Sequence, residues 1–213
     1  MKHIIVSILA MIGILLTITS IHEFGHYLML RIFHVPVKEF SIGIGPLLYQ
    51  HKGTTTWSLR AIPFMAYVDF DLKNSYTQLV IWKKLVILSA GIIGNLVLAL
   101  FCIITIWLNP SVLDALFLTF NTHLGIGPIS FFILIMHVTN YGFAATILFL
   151  GIFSLFAGII SILPIPGFDG GWLLTTIFRI PEEKYEPISI VAIKVFKIIV
   201  LIISIIDIMI LLY

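Results

Sequence analysis

Charge is scarce in this sequence. Lys, Arg, Asp and Glu make up 10% of its 213 residues and apolar side chains 60%, whereas a soluble domain runs near a quarter charged. That shortage excludes an ordinary water-soluble domain. The net charge of +2 is too small to argue for nucleic acid as a partner. Cysteine is almost absent: the single Cys102 excludes an internal disulfide, and its apolar neighbours mark it as a small buried hydrophobe. Internal repeats and low-complexity tracts are missing as well, so no repeat architecture is expected.

Long apolar runs fill the space that charge leaves. Regions at roughly 4–30, 85–108, 141–163 and 188–212 are each nearly free of charge. At about 1.5 Å per residue, each is long enough to cross a hydrocarbon core of about 30 Å. They predict an all-α polytopic membrane protein with about four transmembrane helices, forming a single membrane domain over 1–213. The first run is too long for the apolar core of a secretory signal and carries the chemical motif below, so it reads as a retained span.

Between the first and second spans the pattern changes. Phe40-Ser41-Ile42-Gly43-Ile44-Gly45-Pro46 and Thr54-Thr55-Thr56-Trp57-Ser58-Leu59-Arg60 mix glycine, threonine and aromatics, which predicts a small β-hairpin at about 38–68. His51-Lys52-Gly53-Thr54 reads as its turn. An open sheet edge is not tolerated in lipid, so this hairpin belongs at the membrane face or in a cavity among the helices. The 109–140 connection is broken by Asn109-Pro110 and Gly125-Ile126-Gly127-Pro128, and its apolar run 129–136 is too short to span. Trp57, Trp82, Trp107 and Trp172 fit interfacial anchoring.

The basic residues give an orientation. Arg31, Lys38, Lys52, Arg60, Lys73, Lys83 and Lys84 lie between the first two spans, and Arg179, Lys184, Lys194 and Lys197 lie around the start of the fourth, while 109–140 has neither Lys nor Arg. The positive-inside rule then places both termini outside the cell membrane and the hairpin loop in the cytoplasm.

The chemistry is concentrated in two places. His22-Glu23-Phe24-Gly25-His26 sits inside the first apolar run, near its cytoplasmic end, with Thr17, Thr19 and Ser20 just before it. Ionisable groups in a span are costly, so this cluster must face protein or water. Two histidines four residues apart lie on one helical face and suit two ligands of a tetrahedral zinc. Glu23 projects beside them, as a general base does in the H-E-x-x-H arrangement of zinc proteases. A catalytic zinc needs a third ligand. His3, His34, His51, His123 and His137 are badly placed along the chain. Asp169 lies at a matching depth, after two prolines that end the third span in Leu163-Pro164-Ile165-Pro166-Gly167-Phe168-Asp169-Gly170-Gly171. Asp169 is also well placed to cap a new helix over 172–180.

Together these two segments resemble the site-2 protease family of intramembrane zinc metalloproteases. The Phe40–Pro46 stretch, Leu85–Leu98 and Gly127-Pro128-Ile129-Ser130 are similar to its bacterial branch that includes the regulator-of-sigma-E protease. The resemblance implies one zinc per chain held by His22, His26 and Asp169, with Glu23 as the catalytic base. It further implies membrane-spanning protein or peptide substrates, met by the hairpin, with Asn95, Gly43, Gly45, Pro164 and Pro166 on the substrate's side. Two departures stand out. Only about 109–126 occupies the place where that branch carries PDZ domains, and Ser161 stands where the family often has Asn. Two other classes remain: a membrane protein that binds metal without proteolysis, such as a transport accessory, and a small membrane factor whose polar residues only join helices. Stoichiometric zinc separates the last from the others, and cleavage separates the first two.

Overall fold

The computed structural model describes residues 2–107, 138 and 142–212. Its elements run α1 (Lys2–Ile32), β1 (Val37–His51), β2 (Thr56–Phe70), a π-helical turn (Leu72–Tyr76), α2 (Ile81–Trp107), α3 (Phe143–Ile162), the short α4 (Asp169–Ile177) and α5 (Glu182–Leu212). Among the described residues, four helices are long and apolar enough to cross a membrane, with cores at Ile5–Ile32, Ile81–Ile104, Phe143–Ile162 and Lys184–Met209. The four spans and the sheet between the first and second are thus where the sequence puts them. The fourth helix starts earlier than its apolar run, with Glu182 and Lys184 in its opening turns and Pro187 inside it. The connection at 109–137, with its apolar run, lies outside the described residues.

Small residues let the spans meet backbone to backbone. A Cβ on Gly25 of α1 would collide with the Ala90 carbonyl of α2, and one on Gly94 of α2 would sit 2.9 Å from the Ile21 carbonyl oxygen of α1. On the other face of α2, Gly151 of α3 lies over Cys102, and Gly158 lies over Asn95. Between those two glycines Ser154 is fully buried and donates to the Asn95 carbonyl at 2.8 Å. Lipid offers no hydrophobic drive for helix association, so such close contacts and buried hydrogen bonds supply it. A cluster of Ile14, Ile18, Ala145, Leu148 and Phe149 packs α1 on α3. Thr17 and Thr19 take no part in a polar patch: their hydroxyls donate to Gly13 and Leu15 carbonyls one turn back in α1, which satisfies them within the helix itself.

The sheet has two strands, but both are long and bent. Ser41 pairs with Tyr67 and Ile42 with Ala66, while Tyr49 pairs with Leu59 and His51 with Trp57. Glu39–Ile42 also pairs with Thr56–Leu59, the two runs ascending together. The first half of β1 is therefore central, and the run 66–70 forms an outer edge. The bend falls at Gly43 (φ 86°) and Gly45 (φ 82°), a region disfavoured for side-chain-bearing residues. Arg60 holds it. Its guanidinium donates to Ser41 Oγ at 3.1 Å, to the Gly45 carbonyl at 3.0 Å and to Glu39 Oε1 at 2.9 Å. Burial works against the Glu39 charge, but hydrogen bonds from Ser58, Arg60 and Tyr67 and the Arg60 charge outweigh it and hold its carboxyl below the usual range.

A Cβ at position 43 would lie 2.7 Å from the Arg60 carbonyl oxygen. With the backbone conformation itself costing an alanine about 1–3 kcal/mol, Gly43→Ala is expected to raise amide hydrogen exchange across 37–70 while leaving exchange in the spans as it was. Equal protection of the sheet in both proteins would show that the bend does not need the glycine.

Candidate metal centre

His22 and His26 sit on the face of α1 that meets α2, roughly 9–15 Å inside the helix end at Ile32. They are a turn apart, as their spacing requires, and their Nε2 atoms are 3.2 Å from each other. The backbone of α2 shapes the room around them. Gly91 faces both rings: a Cβ there would run into His26 Nε2 and lie 2.7 Å from His22 Nε2. Nothing in the sequence says that imidazoles lie against Gly91.

Asp169 reaches the same point from the other end of the chain. Leu163, Pro164, Ile165 and Pro166 end α3, and Gly167 (φ 98°) turns the chain back. The next helix begins at Asp169, with Phe168 in the cap position and no side-chain capping bond. The expected capping role for Asp169 and the expected start at 172 are therefore both corrected. Its carboxylate lies in the first turn, where the helix dipole favours a negative charge, and it points to the histidines. Gly170 and Gly171 make the turn possible: a Cβ on Gly170 would collide with the Ile162 carbonyl, and one on Gly171 with the Tyr185 hydroxyl.

Asp169 Oδ2 lies 2.9 Å from His22 Nε2 and 3.5 Å from His26 Nε2. One ligand atom from each of the three residues falls within 4.8 Å of the others. Ligand atoms about 2.0–2.1 Å from a tetrahedral zinc are about 3.3 Å from one another, so the cluster has the right size. Its protonation fits too. His26 Nδ1 is 2.8 Å from the Ile87 carbonyl oxygen, an acceptor, so that nitrogen carries the proton and Nε2 presents a lone pair. Asp169 Oδ2 is buried, with the two Nε2 atoms as its polar neighbours. With the ring nitrogens in that tautomer, a shared cation would satisfy all three facing atoms.

Asn95 has a related task. Its amide meets His22 Nδ1 at 3.2 Å, with Nδ2 as the nearer atom, while its Oδ1 is buried without a partner. A half-turn of the amide places Oδ1 on a protonated Nδ1, which satisfies the oxygen and leaves the His22 Nε2 lone pair for a metal. Asn95, expected on the substrate's side, is 1% exposed and lies behind the imidazole.

Glu23 is half-buried beside the two histidines, and the Val68 backbone N–H donates towards its carboxylate. A cavity of 280 Å³ opens there, lined by Glu23, His26 and Asp169 at its polar end and by residues including Leu30, Phe70, Tyr76 and Trp172 elsewhere. Trp172 stacks edge-on against Tyr185 and forms part of this wall. Gly43, Gly45, Pro164 and Pro166 do not line the cavity. They shape backbone: the glycines bend the sheet and the prolines break the helix. His34 lies in the turn after α1 and His51 at the end of β1, and neither belongs to the cluster.

Fold and site together define a multi-pass membrane protein with a two-histidine, one-carboxylate cluster whose histidines lie within the first apolar span. The chain belongs to peptidase family M50, the site-2 protease family, whose model matches residues 10–205. Similar proteins from Synechocystis (35% identical over 112 residues), Fusobacterium nucleatum (34% over 90) and Clostridium acetobutylicum (38% over 112) each bear the name "Putative zinc metalloprotease". These matches take in 47%, 38% and 48% of this chain and 31%, 26% and 32% of the relatives. The chain thus spans a third or less of the length of these relatives.

Gly91→Ala tests the geometry without touching a ligand. The added methyl is expected to push the imidazoles apart and reduce zinc from about one per chain to near none in purified protein. Gly13→Ala is the matched control, since open space surrounds that Cβ. Full zinc in Gly91→Ala would place the metal elsewhere.

Proposed function

We propose that the protein is an intramembrane zinc endopeptidase that hydrolyses peptide bonds within or next to membrane-spanning segments of other proteins. The observation that carries this reading is the meeting of His22 and His26, which lie within the first apolar span, with Asp169, and the place of Glu23 at a cavity that His26 and Asp169 also line. His22, His26 and Asp169 would hold the ion, and Glu23 would stand free of it. When bound, zinc supplies Lewis acidity to a scissile carbonyl and a water acidic enough to ionise near neutral pH.

The chain's own groups account for the rest. The Glu23 carboxylate takes a proton from the attacking water and returns it to the nitrogen of the departing amine. The Val68 N–H steadies that carboxylate. The outer edge 66–70 passes the same cavity and suits an unwound substrate segment, which would add to it as a strand. The largely apolar wall made by Leu30, Phe70, Tyr76 and Trp172 suits a large apolar side chain of that segment. Membrane-spanning regulators and remnants of signal peptides are both substrates of this chemical kind. The placement of basic residues supports termini on the outer side and a site open towards the cytoplasm.

Glu23→Gln removes the base and keeps the three ligands. It is expected to retain about one zinc per chain and to lose cleavage by at least about 100-fold. The measurement compares membrane proteomes of cells expressing either form for fragments cut within a span. The same fragments at the same rate from both would overturn the reading, and metal without fragments in the wild type would favour a metal-binding protein that is not a protease.

A further inference from the structure

Tyr185 is a buried polar side chain that the metal cluster does not use. It lies in the opening turns of α5, 7% exposed, at the start of the fourth span. Its hydroxyl is buried and makes no full hydrogen bond among the described residues. A phenylalanine would fill the same space without the cost of drying a hydroxyl, so the oxygen needs a reason to be there. Its surroundings supply one. A Cβ on Gly171 would collide with that oxygen and lie 2.5 Å from the Ile165 carbonyl oxygen, so hydroxyl and carbonyl face the same small gap beside α4. The Gly167 N–H is directed at the hydroxyl as well. The Ile165 carbonyl accepts from the Phe168 N–H at 3.1 Å and retains a second lone pair. A hydroxyl both accepts and donates, so the Tyr185 oxygen can take the Gly167 proton and give its own to Ile165. Pro164 and Pro166 withhold two backbone donors from this corner, and a donor from outside the segment is what it lacks.

Gly167 and Gly171 bracket Asp169. Gly167 carries the turn, with φ 98°, and Gly171 closes the first turn of α4, its N–H donating to the Phe168 carbonyl at 3.1 Å. A group that ties both glycines fixes the direction in which the carboxylate leaves the helix. Ile193 against Gly167 and Phe196 against Phe168 are apolar contacts from the same α5. They set how near that helix comes but carry no direction. We infer that Tyr185 is a positioning residue of the metal centre: its hydroxyl clamps the corner from Ile165 to Gly171 and thereby aims the Asp169 carboxylate at His22 and His26. This rests on the proposed place of Asp169 as a zinc ligand. Tyr185 does not line the cavity beside Glu23. It acts through the backbone that holds Asp169.

The test uses the full chain in detergent with cobalt in place of zinc, because the visible bands of cobalt report the number and geometry of its ligands. Tyr185→Phe keeps the ring against Trp172 and removes only the oxygen. It is expected to keep the helical circular dichroism of the wild type and to shift or weaken the cobalt bands. In competition with a chelator it is expected to hold the ion about tenfold more weakly, the lower end of what loss of an outer-shell hydrogen bond does to a metal site. Tyr49→Phe removes a hydroxyl from an exposed position on the hairpin and is expected to change nothing. Asp169→Asn is the reference for the ligand itself and is expected to change both bands and affinity. Wild-type bands in Asp169→Asn would overturn the assignment of Asp169 as a ligand. Changed bands in Asp169→Asn with wild-type bands and affinity in Tyr185→Phe would overturn the role of Tyr185 alone, as would an equal change in Tyr49→Phe. Hydrogen exchange gives a reading without any variant: the Gly167 amide is expected to be protected although it lies between helices, and exchange at the rate of an open loop would remove the clamp.

Discussion

A carboxylate and two imidazoles gathered among apolar spans set the main constraint on this fold. Charge and unpaired polar atoms are expensive in a medium without water, so each of these groups must find a partner inside the protein. Ile87 and Asn95 of α2 take the outer ring nitrogens, and what faces inward is a set of lone pairs 2.9–3.5 Å apart. Mutual repulsion of those lone pairs is relieved by a shared cation, which makes the metal as much a structural requirement as a chemical one. Without the ion, protons would have to take its place between Asp169 Oδ2 and the imidazoles 2.9 and 3.5 Å away.

Bringing those groups together demands backbone that an uninterrupted helix cannot provide. α3 and α4 meet at an irregular corner, because Pro164 and Pro166 withhold N–H donors and Gly167 adopts a positive φ. Such a corner at membrane depth must lie against protein. It does: a Cβ on Gly167 would press on Ile193 of α5 at 2.6 Å, and Phe168 packs edge-on against Phe196 of the same helix. On the opposite wall, α2 comes close enough to the rings only because position 91 has no side chain. The same helix shows small residues on two faces, Gly91 and Gly94 towards α1, and Ala99 and Cys102 towards α3. It is the plate against which both halves of the centre are assembled.

Much of this was legible in the sequence, for reasons that can be named. Apolar length fixes the spans, because the bilayer sets it. The i, i+4 spacing of His22 and His26 fixes their common face, because a helix has one periodicity. Asp169 was found through depth and the proline break. The geometric role of Gly91 escaped, since a glycine's meaning depends on which side chain lies opposite, and that is a tertiary fact. Asn95 was read as a substrate contact where its buried amide meets His22, since a polar residue in a span shows that a partner exists without naming it. The capping role given to Asp169 failed for a related reason. Both a cap and a metal ligand require a carboxylate near a helix start, and only the position of the histidines chooses between them. The bend of the sheet at Gly43 and Gly45 was invisible for want of the Arg60 contacts that fix it.

On the proposed function, the sheet answers a problem that the spans create. A helix in lipid hides its peptide groups in its own hydrogen bonds, so a centre built among helices has no extended backbone to act on. The run 66–70 is paired with 37–42 on one side and passes Glu23 on the other. On the proposed reading, the remaining peptide groups of that edge would serve as a template in a low-dielectric cleft, and an unwound segment would gain there the bonds it gave up on leaving its helix. That exchange favours segments that unwind at small cost, those with glycine, proline or polar residues in their spans. On the proposed reading, selection among substrates would therefore depend on the helix stability of the target as much as on the side chains that meet the apolar wall of the cavity.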